Sequence, residues 1–60
     1  MQLDLTELTR EQAYALAQLC KRIGYSDARS MSVDDAEARA MLVATDVLRA
    51  ALADAGYAVR

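Results

Sequence analysis

Sixty residues, a formal charge of −2 and a single cysteine set narrow limits on what this chain can be. A domain of that size buries only about 60% of its unfolded surface and needs support from disulfides, metals or self-association. One cysteine and no histidine leave neither an internal disulfide nor a conventional zinc site, the acidic balance speaks against non-specific nucleic-acid binding, and no apolar run approaches the roughly 20 residues of a membrane span.

Self-association, or permanent docking to a partner, is the support that remains, and a homodimer is expected. The whole of 1–60 reads as one small domain, without repeat, linker or low-complexity tract.

Met1, Leu3 and Leu5 alternate with Gln2, Asp4 and Thr6, which is the period of a strand. The first eight residues are therefore expected to be extended, either as a short β segment or lying over the helices. Asp4 and Glu7 stand where an export signal carries positive charge, so a cytoplasmic location is expected.

Thr9 followed by Gln12 marks a capping box. With Gly24 as the stop, this predicts a short helix over about 10–23. Its apolar arc is Leu16, Leu19, Cys20 and Ile23 with Ala13 and Ala17, while Arg10, Glu11, Gln18 and Lys21 face away. Residues 24–31 form a polar connector with room for one helical turn capped by Ser26.

A long helix over about 33–55 follows, with Ser32 and Asp35 as its capping box and Gly56 as its left-handed stop. On a helical wheel Val43, Val47, Ala40, Ala51, Ala44, Ala55, Leu48, Met41 and Leu52 fall within roughly half the circumference. Alanine at the centre of that stripe predicts close approach of another helix. Leu42 falls on the polar side, where Asp46 and Arg49 are placed to pair. The fold class is thus all-α: a helical hairpin of the short and long helices behind an extended N-terminal segment.

Tyr14 lies outside the first helix's apolar arc, beside Gln18 and Lys21. It reads either as a recognition residue or as a cover for Leu3 or Leu5. Tyr25, Asp27 and Arg29 cluster in the connector, where loops carry function; their plainer reading is a turn with an exposed ion pair. The group Asp34, Asp35 and Glu37 complements the positive end of the helix dipole. Cys20 sits on the apolar arc and reads as a small core residue. With no nucleophile beside a base, no phosphate loop and no ligand spacing, neither catalysis nor a cofactor or metal is expected.

Certain runs carry a resemblance. Leu8-Thr9 with Gln12-Ala13 and Ala15-Leu16-Ala17 is one, and Lys21-Arg22-Ile23-Gly24 with Ser26-Asp27-Ala28-Arg29 is another. The close, Leu48-Arg49-Ala50-Ala51-Leu52-Ala53-Asp54-Ala55-Gly56-Tyr57, is a third. Together they resemble a family of small uncharacterised alanine-rich helical proteins from proteobacteria and their mobile elements. In size and acidic, histidine-poor character the chain also resembles anti-CRISPR inhibitors. The resemblance implies a non-enzymatic protein-binding module that blocks a host defence complex, such as a CRISPR effector, by occupying its surface. Tyr14, Tyr25, Asp27 and Arg29 are the expected contacts. A small dimeric regulatory or antitoxin-like protein is the alternative.

Overall fold

The computed structural model describes residues 4–59. Thr9 opens the first helix as its spacing from Gln12 requires. Its hydroxyl accepts the Gln12 amide at 3.1 Å, and the Gln12 side chain accepts the Thr9 amide at 2.9 Å. This helix, α1, runs Arg10–Arg22, with Lys21 and Arg22 in the last turn where the dipole favours cations.

Its end differs from expectation. Ile23 leaves the helix with extended backbone, its amide still bonded to the Leu19 carbonyl. Gly24 has φ −109° rather than a left-handed value and opens a second helix, α2, Tyr25–Ser30. The cause is local: the Asp27 carboxylate accepts the Gly24 amide at 3.0 Å, so the connector caps its own helix. Ser26, the expected cap, lies inside it. A two-helix hairpin becomes three helices.

The long helix, α3, runs Asp35–Asp54, inside the expected 33–55. Asp34 rather than Ser32 is its cap, accepting the Glu37 amide at 2.8 Å. Ser32 is engaged elsewhere, donating its one hydroxyl proton to the Ala28 carbonyl at 2.5 Å with Met41 Sδ also within 3.3 Å. The stop at Gly56 is as expected, with φ +100°. The Gly56 amide bonds to Ala53 O at 3.0 Å and the Tyr57 amide to Leu52 O at 2.8 Å, the Schellman pattern.

The alternating N-terminal pattern does not make a strand over 4–8. Asp4 Oδ1 accepts both the amide of Thr6 at 3.0 Å and its hydroxyl at 2.7 Å. The Leu8 amide then bonds to Leu5 O at 3.0 Å. A short aspartate side chain that satisfies nearby backbone favours a turn over extension. The rest of the expected extended segment, residues 1–3, lies outside the described residues.

Both α1 and α2 pack on α3, which is the spine of the molecule. The core is Ala13, Ala17 and Cys20 from α1, Ala28 from α2, and Ala38 and Leu52 from α3. Small buried residues let the helix axes approach closely. The face α3 turns inward is rotated from the expected one, keeping Leu52, Met41, Leu48 and Ala51 of the expected stripe and losing the rest. Ala38 and Leu52 are buried and Met41, Leu42, Thr45, Leu48 and Arg49 are half-buried, while Ala40, Val43, Ala44, Val47 and Ala55 are exposed.

Size explains the choice. Burying a leucine or methionine side chain is worth about 1.5–3 kcal/mol, and alanine offers far less area. The arc holding Leu42, Leu48, Leu52 and Met41 therefore outcompetes the Ala/Val arc. Two further expectations fall with it. Leu19 is exposed rather than core. Arg49 turns inward, where its charge acts on Cys20, and forms no ion pair with Asp46.

Candidate functional site

Local capping chemistry places the most polar corner of the molecule where α2 meets the start of α3. Arg29, near the end of α2, reaches forward so that its Nε donates to Asp35 Oδ1 at 2.8 Å. It also donates from a terminal nitrogen to the Ser32 carbonyl at 3.2 Å. Tyr25, one helical turn before Arg29, donates its hydroxyl to the same Asp35 oxygen at 2.6 Å. The carboxylate is thus shared between a phenol and a guanidinium.

That bond to Asp35 raises the Tyr25 phenol above its usual range, because the hydrogen bond and the nearby negative charge favour the protonated form. Arg29 and Arg39 oppose the shift. The Arg29–Asp35 pair is exposed and adds little to stability by itself. The two bonds on Asp35 bring the Tyr25 ring, 45% exposed, beside Arg29 on the surface.

Around this corner stand Met31 and Val33, which are 62% and 82% exposed. Met31 also borders an open depression of about 310 Å³, lined by Leu19, Arg22, Ile23 and Asp27 as well. Arg22 and Asp27 give the depression one charge of each sign. Aromatic, methionine and arginine side chains together match the composition of protein–protein contact surfaces.

The four expected contact residues separate in space. Tyr25 and Arg29 come together at the corner. Asp27 is occupied by the Gly24 amide. Tyr14 lies at the other end of α3, half-buried, with its hydroxyl donating to Gly56 O at 3.4 Å. Its ring meets Tyr57 edge-on, and the Arg10 guanidinium lies 5.8 Å from the ring centroid. Since α3 is about 30 Å long at 1.5 Å per residue, Tyr14 and Tyr25 do not share one small epitope.

Sequence reasoning missed Asp35 as the hub, assigning it to dipole complementarity. Its ten-residue separation from Tyr25 became legible only once α2 was known to be helical. Cys20 is buried, and burial pushes its thiol up against a smaller lowering effect of Arg49, so the reactive thiolate is disfavoured. Among the described residues no three of His, Cys, Asp and Glu are gathered as a metal site, and no helix is long and apolar enough to cross a membrane.

A family profile described as "Family of unknown function (DUF7706)" matches residues 1–60, and the chain belongs to that family. No curated protein and no solved structure matches it.

Proposed function

We propose that this chain is a non-enzymatic protein-binding module that acts by surface occupation, and that its contact surface is the α2–α3 corner. The supporting observation is the shared carboxylate of Asp35. It ties an exposed tyrosine in place beside Arg29, Met31 and Val33 through two hydrogen bonds. A preorganised aromatic anchor loses little entropy on binding, and anchors of this kind carry most of the energy at protein interfaces. The partner class expected from its small size and acidic, histidine-poor character is a host defence assembly of the CRISPR effector kind. On this reading Tyr14 leaves the contact set, and Tyr25 and Arg29 remain.

Co-expression of the chain with an active CRISPR effector, read as phage plaque formation, tests this. The chain should restore plaques, and Tyr25→Ala should abolish the effect. Binding of the purified effector should weaken at least tenfold in that variant, about 1.4 kcal/mol. Glu11→Lys, a charge change on α1, should bind as the parent does. Equal loss from both variants would remove the corner from the contact surface. Full interference activity in the presence of the parent chain would remove the effector as partner.

A further inference from the structure

The outward face of α3 carries Ala36, Ala40, Val43, Val47 and Ala50 within about 80° of circumference at 100° per residue. Val43 is 63% exposed and Val47 47%. Along one edge of this face lie Arg39 and Asp46, and neither forms an ion pair among the described residues. The face points away from α1 and α2, and its Arg39 edge borders the α2–α3 corner, where that guanidinium acts on Tyr25.

We propose that a second copy of the chain covers this face, with the two α3 helices antiparallel and the two-fold axis passing between Leu42 and Val43. The charges select the occupant and the direction. A two-fold axis perpendicular to a helix pair brings like edge against like edge. Arg39 and Asp46 lie equally far from the axis on opposite sides of it. Arg39 therefore meets Asp46 of the second copy, and Asp46 meets its Arg39. Asp35 and Glu37 fall opposite Ala50 and Leu48, away from Asp46 of the second copy, and Asp54, on the same arc, falls opposite position 31, ahead of the second copy's α3. A parallel pair would join opposite edges and leave Asp46 against apolar side chains.

Packing agrees with this register. Val43 meets Val43 at the axis, and Ala40 falls between Val43 and Val47 of the second copy. Small residues opposite larger ones allow axes at the short end of about 8–10 Å. The protomer also has reason to pair, since Leu52 is its only large, fully buried side chain among the described residues. A contact of some fifteen residues, about 22 Å of helix, sits below the roughly 1,200 Å² of standard interfaces.

Sedimentation equilibrium of the full chain should show a monomer–dimer equilibrium in the micromolar range. Arg39→Asp and Asp46→Arg should each weaken pairing at least tenfold at low salt, and the double variant should recover it. In a Cys20→Ala background, Val43→Cys sets two thiols beside the axis within disulfide reach and should cross-link on oxidation. Val47→Cys lies about 13 Å along the helix from its counterpart and should not. Circular dichroism of each variant confirms that it is folded. A chain that stays monomeric to millimolar concentration overturns the pairing. Cross-linking of Val47→Cys as readily as Val43→Cys, or no recovery in the double charge variant, overturns the antiparallel register. Because only the purified chain is measured, these outcomes are independent of whether the corner binds a partner.

Discussion

The rings of Tyr14 and Tyr57 meet edge-on, with centroids 5.2 Å apart and planes at 86°. The contact joins the first turns of α1 to the residue just past the α3 stop, and edge-to-face pairs of this kind add about 0.5–1.5 kcal/mol beyond area burial. Tyr14→Ala should therefore lower stability in urea by roughly 1–3 kcal/mol. Tyr14→Phe, which loses only the 3.4 Å bond to Gly56 O, should lose less than half of that. Equal losses would place the effect in the hydroxyl rather than in the ring.

Gly56 holds the same end in place through a φ of +100°. Nothing lies within 4 Å of where a Cβ would stand, so strain rather than collision is the obstacle to a side chain. Gly56→Ala should cost about 1–2 kcal/mol by thermal unfolding. Gly24→Ala, at negative φ, should cost less than that.

The inward face of α3 can be tested by overpacking. Ala38 is fully buried, so Ala38→Leu should destabilise by about 1–3 kcal/mol in chemical denaturation. Ala53, exposed near the end of the helix, should accept leucine within about 0.5 kcal/mol. If both substitutions were neutral, α3 would be packed through some other face.

The Tyr25 phenol gives a spectroscopic test of the corner. Its pKa is raised by the bond to Asp35, so the folded chain should ionise one tyrosine late in an alkaline absorbance titration. Tyr25→Phe should delete that late phase, and Asp35→Asn should move it earlier. The sign follows from linkage. A raised folded pKa gives stability that is complete below the unfolded value near 10 and is lost as pH climbs through the folded value. A titration unchanged by Asp35→Asn would show that the carboxylate does not hold the phenol.

What could be read from the residues alone was whatever short-range hydrogen bonding decides. Thr9 with Gln12 and the glycine at position 56 act within a few residues, and both stand as expected. Gly24 was misleading because the same residue type serves at either end of a helix, and the Asp27 bond selects the start. The α3 face was misread for another reason. Two apolar arcs share that helix, one rich in alanine and valine and one with larger side chains, and a wheel weights them alike. Only the competition for a single core separates them. Of the candidate site, Tyr25 and Arg29 were visible as residue types, but their meeting at Asp35 depended on a helix that Asp27 nucleates.

The two halves of the molecule also differ in how far along the chain their contacts reach. Tyr25 and Asp35 are ten residues apart, whereas Tyr14 and Gly56 are separated by 42. Closing the shorter loop costs less entropy, so α2 and α3 should associate early and α1 should dock on a preformed corner. Substitutions at Ala28 or Ala38 then slow refolding, while substitutions at Tyr14 or Ala17 chiefly speed unfolding. On this ordering the proposed binding surface takes shape before the protein has finished folding.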